Sequence, residues 1–267
     1  MKVTVNGKEM ELTCSTAFQL RNQIGNETDI VILNGFQIDG NCKISENDVL
    51  TIIRKGTMPK EDELESMMMA RHTPNVHKKI KKGKVAVAGL GGLGSNIAVM
   101  LARIGVGQLL LVDFDIVEPS NLNRQSYNIG HLGMPKTLAL KEQIQEINPF
   151  IKVETQNTRV TEDNVSELFN GYDIVCEAFD KPEAKSMLVN TALEELTDIK
   201  IVAASGMAGY DSSNLIKTVK PMNRLYVCGD LENGAKIGQG LMAPRVQICA
   251  GHQANMILRL LLGIENV

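Results

Sequence analysis

The chain has 267 residues, 43% of them hydrophobic and 22% charged, with a formal net charge of −3. That length holds one large domain, or an ordinary domain plus a small one, with a sizeable buried core. A mildly acidic chain with no Trp and 4% aromatics lacks the basic footprint and stacking platforms of a nucleic-acid binder, so no nucleic-acid partner is expected. The five cysteines, Cys14, Cys42, Cys176, Cys228 and Cys249, are scattered and form no C-x-x-C pair, the usual mark of a structural zinc site. Residues 1–12 carry no apolar signal-peptide core. The most apolar stretch, 256–264, is interrupted by Arg259 and is too short to span a bilayer. A cytoplasmic protein with no membrane partner is the expectation.

Residues 1–58 read as short strands: 2–5 and 8–12 around Asn6-Gly7, 30–33 before Asn34-Gly35, and 49–54. Asn-Gly between alternating apolar residues is a strong hairpin signal. A helix fits 16–24, closing at Gly25. Residues 59–82 make a helical join. Its first part, 61–71, is rich in helix formers, with Leu64, Met67 and Met68 at helical spacing; Lys78, Lys79, Lys81, Lys82 and Lys84 then form a basic run that reads as a solvated edge before a strand. From residue 83 strand and helix alternate. Strands fit 84–88, 109–112, 153–156, 174–176 and 201–204, and helices fit 95–104, 136–146, 162–169, 182–195 and 243–262. Continuous apolar strands separated by helices predict a doubly wound α/β domain with a mostly parallel sheet over 83–267.

Gly89, Gly91, Gly92 and Gly94 follow the first of these strands and open a helix. Glycines at this spacing permit a tight turn, close backbone approach to a phosphate and close helix packing, and the helix N-terminus presents free N–H groups to an anion. Asp113 ends the next strand, where an acidic residue can accept hydrogen bonds from ribose hydroxyls. These features suit NAD, FAD and ATP alike.

The segment Asp113-Phe114-Asp115-Ile116-Val117-Glu118-Pro119-Ser120-Asn121-Leu122-Asn123-Arg124-Gln125, followed by Met134-Pro135-Lys136, Ile147-Asn148-Pro149 and the run from Asp173 to Asp180, closely resembles the ThiF/MoeB/HesA superfamily of ubiquitin-activating-like adenylyltransferases. The matches keep family order over most of the second domain. Arg71-His72-Thr73-Pro74 and the run Ala204 to Tyr210 resemble the compact ThiF branch that carries an extra ThiS-like domain. Val5-Asn6-Gly7, Ile32-Leu33-Asn34-Gly35 and Asp48-Val49-Leu50 in the first segment likewise resemble a ubiquitin-like β-grasp sulfur carrier. The domains implied are 1–58, ThiS-like; 59–82, linker; and 83–267, a Rossmann-like ATP-binding adenylation domain.

The resemblance implies MgATP as cofactor and a ThiS-like sulfur carrier as protein partner. Its C-terminal carboxylate would be activated for thiamin thiazole synthesis, with the sulfur donor left open. A MoaD-type carrier or a tRNA-modifying relative would keep the same chemistry; an NAD-dependent oxidoreductase is a different class, with no substrate domain in view. By the same resemblance Asp113 and Asp115 line the nucleotide site, with Asp113 on the ribose. Asn121, Arg124 and Lys136 grip the triphosphate beside Gln125, Asp180 binds magnesium, and Arg71 reaches a neighbouring subunit's nucleotide, which implies a homodimer. Read singly, Arg124 and Lys136 could be surface residues and Asp180 a helix cap before Pro182; the set in order argues otherwise. The four zinc cysteines of many relatives are absent here, so no zinc is expected, and no cysteine lies shortly before Pro244. Cys176 and Cys249 read as core, and Cys228 as the one cysteine near a loop. The ThiS-like domain itself does not qualify as the substrate, because Gly56 is joined to Thr57 and offers no free carboxylate.

Overall fold

The computed structural model describes residues 1–267, the side chain of Pro74 excepted, and the chain divides into two compact units, Met1–Lys78 and Lys79–Val267. In the first unit β1 (Lys2–Val5) and β2 (Lys8–Glu11) form a hairpin, α1 (Ala17–Ile24) follows, and β3 (Ile30–Leu33), β4 (Phe36–Gln37) and β5 (Val49–Ile53) complete a sheet in the order β2-β1-β5-β3-β4. The first and last long strands, β1 and β5, are parallel. Both predicted turns form with left-handed backbone, Asn6 and Gly7 at φ 45° and 80°, Asn34 and Gly35 at φ 50° and 89°, the geometry that two-residue hairpins require. The Thr16 hydroxyl accepts from Gln19 N–H and the Gln19 side chain accepts from Thr16 N–H, a reciprocal cap that starts α1. Alternate strand residues Val3, Val5, Val31, Leu50 and Ile52 point under α1 and pack on Ala17 and Leu20. α2 (Glu61–His72) also belongs to this unit and packs on β5.

One feature here escaped the sequence. β4 is two residues long, too short for an alternation pattern to register. Lys78, Lys79, Lys81 and Lys82 lie exposed in α3 (Pro74–Lys82) and Lys84 opens the next strand, a solvated edge before a strand as read from the sequence. The buried Ile80 of α3 anchors one face, and Lys79 Nζ donates to the Leu262 carbonyl at 2.9 Å.

In the second unit β6 (Lys84–Ala88), α4 (Gly92–Arg103), β7 (Gln108–Asp113), α5 (Lys136–Ile147), β8 (Lys152–Asn157), α6 (Val165–Phe169), β9 (Ile174–Glu177), α7 (Pro182–Glu195) and β10 (Lys200–Ala204) alternate as predicted. β11 (Lys217–Met222), β12 (Leu225–Gly229) and α8 (Ala243–Leu261) close the unit. The strand order is β11-β12-β10-β9-β6-β7-β8, parallel except for the edge strand β11. This is a Rossmann-like doubly wound sheet, whose strand order reverses between β6 and β9. β6 lies inside the sheet between β9 and β7, and its Val85 to Ala88 are all fully buried, hence the continuous apolar run. α6 and α7 cover one face through Val165, Phe169, Leu188 and Ala192 on Ala86, Val112, Val175 and Ile201; α4, α5 and α8 form the other layer.

β11 and β12 were not foreseen, since β11 carries four polar or proline residues in six and shows little apolar signal. Their presence corrects the reading of Cys228. It lies within β12, fully buried, and burial pushes its thiol up to about 11. Cys176 and Cys249 are core residues. Among the described residues no helix is long and apolar enough to cross a membrane.

Candidate active site

Register brings the chemistry together. Ala88 at the end of β6 pairs with Val112 of β7 and Glu177 of β9, so the three following loops emerge side by side at the carboxyl ends of the strands, where open α/β sheets hold ligands. Gly89 continues the ladder, its N–H donating to Val112 O at 2.9 Å. It has φ 90°, and a Cβ there would meet the Ala178 carbonyl and the Phe179 ring at under 3 Å. A Cβ on Gly94 would strike the Gly89 carbonyl, so that glycine lets α4 pack onto the turn. α4 begins at Gly92, three residues before the start expected from the sequence, because helix geometry begins inside the glycine run.

A cavity of about 630 Å³ opens here. Gly89, Gly91, Gly92, Asp113, Asp115, Asn121, Arg124, Gln125, Lys136 and Asp180 all line it. Gly94 stands behind it in α4. Arg71 lies on α2 of the first unit, where it donates to Gln37 Oε1 at 3.4 Å.

Asp113 holds loops together. Its Oδ2 accepts from Leu90 N–H at 2.6 Å and its Oδ1 from Asp115 N–H at 2.8 Å, which leaves about two of a carboxylate's four acceptor sites for a ligand. Lys136, buried at the first turn of α5, donates to Asp115 Oδ2 at 2.9 Å. Asn121 Oδ1 accepts from Glu118 N–H at 3.0 Å, while its amide nitrogen has only a 3.5 Å contact with Ser120 Oγ. Arg124 Nη1 donates to Ser120 O and Asn123 Oδ1, but Arg124 Nε and Gln125 Oε1 are buried with no partner among the described residues. Buried donors and acceptors are normally satisfied; both residues line the cavity, with the two orphan atoms themselves occluded in its wall. The loop that carries them is fastened to the glycine turn by Tyr127, whose hydroxyl donates to Leu90 O at 2.9 Å, and by Asn96, which donates to Gly92 O and Arg124 O.

Asp180 is exposed and has no hydrogen bond or ion pair among the described residues. It does not cap α7, whose N-cap is Lys181. Three groups lining the site went unremarked in the sequence. Lys185 of α7 pairs with Glu177 at 3.0 Å. The Arg159 guanidinium lies 4.6 Å over the Phe114 ring, a flat cation–π face at the rim. A loop after β12, including Leu231, Glu232 and Asn233, covers one side of the cavity and is latched by the buried Asp230–Arg245 pair. Lys185 lies in α7, five residues past the run that ends at Asp180, and nothing in the sequence singled it out.

A cavity with a glycine turn, a helix N-terminus and several cations suits a polyphosphate. The ThiF family model matches residues 64–267, and a ThiS-like ubiquitin model matches residues 1–56. The chain belongs to the ThiF family. Among the relatives of this ThiF-family chain, the adenylyltransferase and sulfurtransferase UBA4 of Saccharomyces cerevisiae is 32% identical over 192 residues, covering 70% of this chain and 43% of that protein. The molybdopterin-synthase adenylyltransferase of Haemophilus influenzae is 40% identical over 111 residues, 41% of this chain and 46% of that protein. The chain thus spans less than half the length of these relatives. Among solved structures, the tRNA N6-threonylcarbamoyladenosine dehydratase of E. coli in complex with ATP superposes with a TM-score of 0.69 at 21% identity, covering 78% of this chain and 98% of that one; this shares the fold.

Proposed function

We propose that this ThiF-family chain is an ATP-dependent adenylyltransferase that activates the C-terminal carboxylate of a ubiquitin-like sulfur carrier of the ThiS type. The observation that carries the reading is the unpaired Arg124 Nε and Gln125 Oε1 beside the Gly89–Gly92 turn, in one cavity with Lys136 and Asp180. The Arg124 guanidinium and the Lys136 ammonium are donors that suit a triphosphate, Gln125 Oε1 can only accept, and Asp113 retains acceptor capacity for ribose hydroxyls. The exposed carboxylate of Asp180, free of internal partners, suits magnesium, a hard cation that prefers oxygen ligands and neutralises phosphate charge.

In the proposed reaction the carrier carboxylate oxygen attacks the α-phosphorus of ATP. An anhydride C–O–P bond forms, the bond to the β-phosphate oxygen breaks, and pyrophosphate leaves with the electron pair. The carboxylate is already ionised, so no side-chain base is needed, and positioning and preorganised charge supply the catalysis. Arg124 and Lys136 stabilise charge on the transferring and departing phosphates. We assign the chain to the cytoplasm and to a homodimer in which Arg71 of each protomer completes the partner's site. Mixing an Arg71→Ala chain with a Lys136→Ala chain then restores part of the activity, since one site per mixed dimer keeps both residues; mixed dimers without rescue contradict the shared site.

The fusion of a ThiS-like domain to a ThiF-type domain supports a ThiS carrier and thiamin thiazole synthesis. The similarity to the Haemophilus influenzae enzyme favours a second reading, the same chemistry on a molybdopterin-synthase carrier. Pyrophosphate exchange into ATP, measured with each carrier in turn, separates the two: exchange with a ThiS-type carrier and none with a MoaD-type one is expected, and the reverse result assigns the second substrate.

A further inference from the structure

Glu177 and Asp180 stand three residues apart at the end of β9 and live in opposite surroundings. Asp180 lies at the cavity surface without a partner among the described residues. Glu177 is 0% exposed. A carboxylate is rarely buried so completely unless it is paired and hydrogen-bonded, and this one accepts four hydrogen bonds from three groups. Its Oε1 accepts from Phe179 N–H at 2.6 Å and from Lys185 Nζ at 3.0 Å; its Oε2 accepts from Lys185 Nζ at 3.1 Å and from Ala204 N–H at 3.4 Å. Lys185 Nζ also donates to Ala204 O at 3.1 Å. The ammonium therefore clamps the tip of β9 to the tip of β10 from the second turn of α7. Gln253 of α8 closes the opposite side, donating to Glu177 O at 3.0 Å and Val202 O at 3.4 Å.

These bonds fix the turn Ala178–Phe179–Asp180. Phe179 N–H is held by Glu177, and Ala178 N–H donates to Ala88 O of β6 at 2.8 Å. The same turn is the surface against which Gly89 packs, through the Ala178 carbonyl and the Phe179 ring. One buried pair thus sets both the carboxylate at position 180 and the floor of the glycine turn. Replacing a buried ion pair by hydrophobic residues of similar volume is often neutral or stabilising, and Lys185 keeps 21% of its side chain exposed, so the pair is weak evidence for a role in stability alone. Burial pushes the Glu177 carboxyl up and the Lys185 ammonium pulls it down.

On the reading of Asp180 as the cation ligand, the geometry points to Glu177 and Lys185 as positioning residues that hold the Asp180 turn in its magnesium-binding form. In this role they act through the 178–180 backbone, while Lys185 also lines the cavity. Groups that orient a metal ligand from outside its coordination sphere are worth about 10- to 100-fold in metal affinity.

The test is calorimetric titration of the full chain with ATP, with magnesium and then with EDTA, taking the ratio of the two dissociation constants as the readout. Asp180→Ala is expected to bring the ratio close to one. The double variant Glu177→Gln/Lys185→Met, which removes both charges together, is expected to lower it about tenfold while circular dichroism stays native. Glu177→Gln alone keeps the side-chain shape and an acceptor for Phe179 N–H, and should fall between wild type and the double variant; Lys185→Arg should stay near wild type. A purely structural pair would lower the melting temperature and leave the ratio alone. An unchanged ratio in folded pair variants, with a collapsed ratio in Asp180→Ala, overturns this inference and leaves the reading of the site standing. An unchanged ratio in all of them overturns both.

Discussion

The ThiS-like sheet of the first unit and the cavity of the second spend their polar side chains differently. In the ThiS-like sheet they are consumed by the backbone. Asn6 Oδ1 accepts from Ile52 N–H at 2.7 Å, Asn34 Oδ1 accepts from Val49 N–H at 2.9 Å and its amide donates to Asp48, and Asp29 accepts from Asn26 N–H at 2.7 Å. Among the described residues of 1–56 no buried side-chain nitrogen or oxygen lacks a partner. Around the cavity of the second unit the pattern reverses: Arg124 Nε and Gln125 Oε1 are left open, Asp180 is unpaired, and a cavity lies between them. A satisfied network stabilises a shape. A site keeps groups unsatisfied so that a ligand can complete them.

That contrast can be broken in order of expected effect. Alanine at Arg124, Lys136 or Asp180 should each lower carrier-dependent exchange by about 10²-fold or more, the scale for one preorganised charged group, with little change in melting temperature. A large loss of stability with these variants would mean that their side chains are structural. Next comes acid. Asp230 is buried, which alone would raise its pKa, yet N–H donors from Asn233 and Glu232 and the Arg245 guanidinium hold its carboxyl down at about 2. Because the folded value lies below the ordinary one of 3.8, its contribution is present above about pH 4 and is lost as pH falls towards 2. It amounts to about 2 kcal/mol. Asp230→Asn should flatten that part of the stability–pH curve; an unchanged curve would deny the latch its electrostatic part. Asn34→Ala, at φ 50° and with two hydrogen bonds, should cost roughly 1–2 kcal/mol of stability and leave ATP binding alone. A change in ATP affinity from that substitution would contradict the division of labour.

Much of this was legible in the sequence. Asn6-Gly7 and Asn34-Gly35 gave both hairpins because left-handed turns restrict which residues serve, and the apolar run 84–88 became an interior strand because both its faces are covered. The cavity residues of the 113–136 stretch could be read because one loop and one helix start carry them. Lys185 with Glu177 escaped because its meaning lies in a contact between a strand end, a helix and the tip of β10. The Asp230–Arg245 latch joins a loop to α8 and was equally silent. β11 was missed because an edge strand with one exposed face has little apolar signal; β12, Leu225–Gly229, is a short apolar run lying between β11 and β10 that reads as a loop, and with it went the burial of Cys228.

The central claim, that this cavity turns over ATP against a carrier carboxylate, is tested most directly by isotope exchange between pyrophosphate and ATP on the full chain. The account predicts exchange that needs magnesium and a carrier with a free C-terminal carboxylate, and that vanishes when that carboxylate is amidated. Exchange that proceeds equally with the amidated carrier, or ATP turnover that ignores the carrier altogether, would contradict it.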